Sequence, residues 1–425
     1  MAFDRGAVSF VRLRVEGESP VVVDDAVLSR LAEHRFRESD LVASAPGDEI
    51  EAGFITGEHL YDVEFAYEKN GFGDRLLFAL RLDSHKVPGE VTRAYRRINE
   101  QAAKDQSATG FASKRELREA RELADRQVRE DMAAGKFRKS KIVPVLWDFK
   151  RGEVLLGATT QAAIDQASRL IHEAFGVRLG VISAGVRAGE MLRSRGKGRD
   201  YEDLGPSKFT PPPVMTAPDA DDDEDAAPRG DLSAPVVPWV HKAVDLKDFL
   251  GNEAMFWLWR HTETSDEAIE TPAGPVHVFI DRTLKMDCAW ETGGKQTLKG
   301  DGPARLSEAG EALRTGKWPR KAGLTISDGE AQWSLTWQAD KMHASAVQLP
   351  DIEEARSPRE VIELRLNHVR RLLELVDGLY DAFLEVRATG RWPGVRGEIT
   401  QWIRSRSSRR AAETRPATRA EPVGA

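Results

Sequence analysis

The stretch Gly135–Gly157, GKFRKSKIVPVLWDFKRGEVLLG, passes from a glycine and a cluster of cations into a continuous apolar run, a turn and a second apolar run. IVPVLWDF and EVLLGAT, separated by the turn KRG, read as a hairpin of buried strands. The next segment, AAIDQASRLIHEAF, puts Ala163, Ile164, Ala167, Leu170, Ile171, Ala174 and Phe175 on one helical face, and VRLGVIS returns as a strand. Residues 142–183 therefore read β-β-α-β. Phe137 stands among Lys136, Arg138, Lys139 and Lys141 at an expected loop tip. An aromatic there either tucks back onto the base of the hairpin or protrudes as a wedge between bases while the cations hold phosphates.

Upstream, residues 7–15 (AVSFVRLRV), DVEFAYEK and RLLFALRL read as strands, the last two divided by the turn signal NGFGD. Two charged helices follow, in VTRAYRRINEQAAK and SKRELREARELADRQVREDM, broken at QSATGFA. Downstream, residues 203–238 hold eight of the 21 prolines and the acids Asp219, Asp221, Asp222, Asp223, Glu224 and Asp225, and read as a disordered insertion. KDFLGNEAMFWLWRHTE reads as a helix, and two strand-rich stretches lie between it and a long helix over 357–389. That helix carries the stripe Ile362, Leu366, Val369, Leu373, Val376, Tyr380 and Phe383. Residues 401–420 carry six arginines against one glutamate and read as part of a flexible basic tail.

The fold class expected is α+β, with antiparallel sheets and packed helices. The divisions expected are a sheet-rich region 1–89, a charged helical finger 90–141, the β-β-α-β region 142–202, the insertion 203–238, a C-terminal α+β region 239–403 and the basic tail 404–425.

At 425 residues and 40% hydrophobic content the chain has material for about two to four domains. Its single cysteine, Cys288, excludes an internal disulfide framework and a multi-cysteine zinc site and suits a reducing compartment, so a cytoplasmic protein is expected. MAFDRGAVSFVRLRV carries charges where a signal peptide needs an apolar core, and no apolar run reaches the length of a membrane span. No membrane partner is expected. The net charge of −7 argues against a polyanionic partner, yet without the six clustered acids it is about −1. The global figure is thus a poor guide to any one surface.

No glycine-rich phosphate loop, HExxH, GxSxG or EF-hand loop occurs, and the nine histidines fall at no ligand spacing. Cys288 lacks an identifiable base and reads as an inert buried thiol, His172 as a surface or boundary residue, and Phe256, Trp257 and Trp259 as core aromatics more than a base-stacking platform. The expectation is a protein that is not an enzyme and uses no cofactor or metal.

Residues 84–141 hold fifteen Lys and Arg against nine Asp and Glu, a local excess of six. An excess of this kind marks a surface for phosphates. Helical pairs such as Glu122 with Arg126 and Asp125 with Arg129 would neutralise part of it. Arg93, Arg96 and Arg97 in TRAYRR have few acids beside them, as do Lys136, Arg138, Lys139 and Lys141.

The order and spacing of several of these segments resemble the recombination-associated protein RdgC family. They are VSFVRLRV, LLFALRLDSHKVPGEVTRAYRRINEQ, a charged helix ending in GKFRKSK, and IVPVLWDFKRGEVLLGATTQAAIDQASRLIHEAFGVRLGVIS. The similarity resumes at AQWSLTWQADKMHASAVQLPD and LRLNHVRRLLELVDGLYDAFLEVR, and covers about two thirds of the chain. The resemblance implies a horseshoe-shaped subunit that dimerises into a ring around double-stranded DNA, with little sequence preference. It also implies association with the nucleoid and interplay with the recombinase RecA, which the family restrains. In the family a phenylalanine on an exposed finger contacts DNA, and Phe137 occupies that place here. Arg138 and Lys139 fall where the family has basic or polar residues. The acidic insertion, FWLWR and the arginine tail lengthen this chain beyond the family's pattern.

The function expected is therefore sequence-independent duplex binding in homologous recombination, with Phe137, Lys136, Arg138, Lys139, Lys141, Arg93, Arg96 and Arg97 as DNA contacts. The alternatives are a metal-dependent nuclease or other DNA-processing enzyme, and a protein-binding adaptor.

Overall fold

Alternating and continuous apolar runs build most of the thirteen strands among the described residues, and eleven further segments form α-helices. The computed structural model describes residues 3–37, 50–107, 110–212, 235–290, 294–352 and 354–413. The chain is α+β, with antiparallel sheets, and forms two compact units: residues 14–180, and residues 2–13 with 181–425.

The first part of the chain runs β1 (Val8–Glu16), α1 (Asp25–Glu33), β2 (Ile50–Ile55), α2 (Tyr67–Asn70), β3 (Gly71–Phe72) and β4 (Arg75–His85). It continues α3 (Gly89–Gln106), α4 (Lys114–Ala133), β5 (Arg138–Asp148), β6 (Glu153–Leu156), α5 (Gln161–Phe175) and β7 (Arg178–Val181). In the first unit β4 is central, with β2 on one side and β5 then β6 on the other, all antiparallel. Phe54, Phe78 and Leu80 share a sheet face with Val143, Val145 and Trp147, and the Trp147 ring meets Phe175 of α5 edge-on at 5.0 Å. The opposite face buries Ile55 and Ala79 against Phe36, Val63 and Ile142.

DVEFAYEK is not a strand. Asp62 accepts from the Thr56 hydroxyl at 2.7 Å and from the Lys69 ammonium at 2.9 Å. The Asn70 amide donates to the carbonyls of Thr56 and Leu77 at 3.1 and 2.7 Å. These side chains supply the hydrogen bonds that a ladder would otherwise have to make.

The rest of the chain runs α6 (Ala184–Ser194), α7 (Gly198–Glu202), α8 (Phe249–Thr264), β8 (Ile269–Thr271), β9 (Gly274–Cys288), β10 (Lys295–Lys299) and α9 (Ser307–Arg314). After it come β11 (Lys317–Ser327), β12 (Gln332–Gln338), β13 (His343–Gln348), α10 (Pro358–Arg387) and α11 (Trp392–Glu413). The second unit's sheet has the order β10-β9-β11-β12-β13 and then the first part of β1. Its inner face, with Leu324, Ile326 and Trp337, is covered by α8 and α10. Phe256 and Trp259 of FWLWR are fully buried, so this segment is core. At Gly251 a Cβ would stand 2.2 Å from the Ala339 carbonyl oxygen, so only glycine lets α8 approach the end of β12 this closely.

Charged groups in this core are paired. Arg12 grips Asp377 through two hydrogen bonds of 2.7 and 2.9 Å, and Arg187 reaches the same carboxylate. Glu253, fully buried, accepts from Arg387 and from the Ser207 backbone. Ser207 and Phe209 lie in the span 203–238 expected to be disordered. Phe209 is in fact buried against Phe256, Trp318 and Trp392, because this flank carries an aromatic that the core accepts. Residues 213–234, with the acidic tract, lie outside the described residues. The expected flexible tail is likewise corrected: α11 extends to Glu413, with Ile399, Trp402 and Ile403 buried and Arg406 paired with Glu263. Residues 414–425 lie outside the described residues. Among the described residues no helix is long and apolar enough to cross a membrane.

Two groups of this unit respond to pH in opposite senses. Burial, then the charges of Lys341 and Lys321, push His343 from 6.5 down to about 4. The fold favours its neutral ring, so that contribution is complete above pH 6.5 and is lost as pH falls toward 4. Burial pushes Asp248 up to about 6, so its contribution is complete below 3.8 and is lost as pH rises through 6. Between about pH 7 and pH 4.5, His343→Gln is expected to lose about 1–2 kcal/mol less stability than wild type, measured from urea midpoints.

Candidate nucleic-acid interface

β4 and β5 pair from Arg75 with Asp148 to His85 with Arg138, so the antiparallel hairpin α3–α4 is an insertion at the end of this ladder. A capping box starts α4: the Ser113 amide donates to Glu116 at 2.7 Å, and the Glu116 amide donates to the Ser113 hydroxyl. Between the helices lie Ala120, Ala124 and Val128, with the Asn99 amide donating to Gln127 at 2.9 Å. Phe111, in the turn between the helices, is 81% exposed.

GKFRKSK belongs to the root of this hairpin and not to its tip. Gly135 takes φ +76°, the Lys136 amide donates to the Asp131 carbonyl at 3.1 Å, and the Gly135 amide donates to that of Met132 at 2.9 Å. This is a Schellman ending, which needs a left-handed residue and therefore favours glycine. Three residues later β5 has begun, which places Arg138, Lys139 and Lys141 in a strand. Phe137 sits in the turn between them, half-buried, neither in the core nor projecting freely.

The period of two along β5 separates the cations. Arg138 faces the side of Arg81 and Asp83, and donates to Asp83 at 2.6 Å. Asp83 is fully buried and also accepts two hydrogen bonds from Arg81, at 3.1 and 2.9 Å. Burial pushes the Asp83 carboxyl up, but hydrogen bonds from Arg81, Ser140 and Arg138 and the Arg81 charge outweigh it and leave it below its ordinary value. The Arg81 guanidinium lies over Phe36 at 4.1 Å and over Tyr61 at 5.3 Å. Lys139 and Lys141 occupy the other face. Both are exposed, with no side-chain partner among the described residues.

The remaining expected contacts lie on α3 and just past the end of α4. Lys136 pairs with Asp131, which also accepts from the Tyr95 hydroxyl at 2.5 Å. Asp131 is held below the ordinary carboxylate value, first by Lys136 and then by Tyr95. Tyr95 belongs to TRAYRR, so this carboxylate ties the start of α3 to the end of α4. Arg93 pairs with Glu90, and Arg96 with Asp125 at 3.0 Å. Arg97 is exposed without a partner among the described residues. The structure thus puts Lys136, Phe137, Arg138, Lys139 and Lys141 at the hairpin root and Arg93, Arg96 and Arg97 along the first half of α3, and of these cations Arg97, Lys139 and Lys141 have no counter-ion among the described residues.

Two further cations, Arg126 and Arg129, lie on α4, where helical spacing predicts acidic partners for them. Glu122 and Asp125 are taken by Arg118, at 3.0 Å, and by Arg96, so neither pairs with Arg126 or Arg129 as expected. Both arginines are exposed and unpartnered among the described residues, whereas Arg121 is held by Glu100 at 2.8 Å. The competing Arg118–Glu122 spacing was visible in the sequence, but the pairing of Arg96 across the hairpin was not. Among the described residues no group of three or more His, Cys, Asp or Glu is placed to hold a metal ion. Cys288 is buried, and burial raises its thiol pKa.

Removing the buried partner and removing the free cations should have distinct consequences. Arg81→Ala is expected to cost about 3 kcal/mol of stability, because it deprives a buried carboxylate of its main partner. Lys139→Ala and Lys141→Ala are each expected to change stability by less than about 0.5 kcal/mol. Chemical denaturation of the three variants checks both. No protein-family model matches the chain, and no curated protein matches it.

Proposed function

We propose that the chain is a non-enzymatic protein that binds double-stranded DNA without sequence preference, and that it restrains or takes part in homologous recombination as RdgC proteins do. The observation that carries this reading is the pair Lys139 and Lys141. They stand exposed on one face of β5, without counter-ions among the described residues, while the neighbouring Arg138 is held on the opposite face by Asp83. Arg97, Arg126 and Arg129 add charge that has no ion-pair partner among the described residues.

In this proposal these side chains attract phosphates, which fix position but carry no sequence information. Phe137, next to Lys136 and Arg138 and not committed to the core, supplies contact with the bases. The likeness to RdgC extends the proposal to a homodimeric ring around the duplex, to interplay with RecA, and to a cytoplasmic, nucleoid-associated protein.

Duplex affinity is expected to fall steeply with salt, and replacing both Lys139 and Lys141 by serine is expected to lower the slope of log K against log salt by about 2. Phe137→Ala is expected to weaken binding at every salt concentration and leave that slope unchanged. Fluorescence anisotropy on linear and circular duplexes measures both effects. A ring that threads onto ends favours the linear form, and duplex binding insensitive to salt would overturn the reading.

A further inference from the structure

The outer face of the second unit's sheet contains an arrangement that the fold itself does not favour. Lys285 of β9 and Lys321 of β11 are directly opposed across an antiparallel pair. Both are half-buried, and neither has a hydrogen-bond or ion-pair partner among the described residues. Like charges opposed in this way destabilise a sheet. The same cross-strand row continues through Gln338 to His343, whose depressed pKa reflects burial first and then the charges of Lys341 and Lys321. Four residues farther along β11, Thr325 is opposed by Phe279, an aromatic on a strand that is 52% exposed.

We propose that this face is a binding site for a single-stranded stretch of nucleic acid, with a phosphate held between Lys285 and Lys321 and a base stacked on Phe279. A phosphate diester placed between the two lysines replaces their repulsion with attraction to both. Phe279 lies ~13 Å along the strand direction, from the rise per residue, a separation that a few nucleotides bridge. An exposed aromatic on a sheet face stacks unpaired bases, while a duplex keeps its bases stacked on one another. The carboxylate between the two positions is Asp281. It accepts from the backbone of Arg282 at 2.8 Å and of Gly302 at 3.4 Å, with the Arg282 guanidinium 3.8 Å away, so its charge is partly offset. The site is separate from Phe137 and the hairpin cations, but it rests on the nucleic-acid class of partner proposed above.

The test uses the full chain, an oligo-dT single strand of about 20 nucleotides and a duplex of equal length, at low salt. Phe279→Ala is expected to weaken oligo-dT binding about tenfold and to leave duplex binding unchanged. Replacing both Lys285 and Lys321 by serine is expected to weaken oligo-dT binding about tenfold as well, and to raise the thermal midpoint because the opposed charges are gone. Unchanged oligo-dT affinity in both variants, with duplex binding retained, overturns this inference alone. A loss confined to the lysine variant overturns the base-stacking contact, and the single-strand assignment with it. If the wild type binds neither probe, the DNA-binding function itself is wrong.

Discussion

The Asp83 carboxylate, buried between Arg81 and Arg138, fixes the place where the helical hairpin leaves the first unit's sheet. It lies near the last rung of the β4–β5 ladder, where strand pairing would otherwise fray into the two chains leading to α3 and α4. An unpaired carboxylate is too costly to bury there, so the two arginines are held with it. Arg81 is packed in turn between Phe36 and Tyr61, which ties the ladder end to the loops beside β2. With the ladder set, the alternation of β5 assigns Arg138 to the side of this network and Lys139 and Lys141, both exposed at the start of the strand, to the opposite side.

That division explains how a chain of net charge −7 keeps local positive potential. Counting basic residues overstates it, because Lys136, Arg93, Arg96, Arg118 and Arg121 are matched by acids on the hairpin itself. What is left is a set of cations, Arg97, Arg126, Arg129, Lys139 and Lys141 among them, with no ion-pair partner among the described residues. In the sheet of the second unit the alternation likewise divides the faces: the inner one takes Trp337 and Leu324, and the outer one Lys285, Lys321, Asp281, Phe279 and hydroxyl side chains.

Elements with strong periodicity were legible in the sequence. The α10 stripe, the α5 face and the β5–β6 hairpin follow from apolar spacing alone, and the break between α3 and α4 follows from QSATGFA. Elements decided by distant partners were not. DVEFAYEK alternates like a strand but is held by Asp62 and Asn70 side chains, and α11 looks like a solvated basic tail until Trp402 and Ile403 meet the core. For the candidate site, composition singled out residues 84–141 by their excess of basic residues. Whether an arginine there is free depends on contacts across the hairpin, such as Arg96 with Asp125, which no local spacing encodes.

The insertion of two helices between paired neighbours also bears on how the first unit assembles. Partners such as Leu80 and Val143 are far apart in sequence though adjacent in the sheet, and closing so long an unstructured loop carries an entropic cost that slows folding. Helices α3 and α4 form from nearby residues, and once they lie antiparallel they bring Gly89 and Ala133 close together. If the charged finger forms before the core closes, it also acts as a folding clamp that turns a distant strand pairing into a nearly local one.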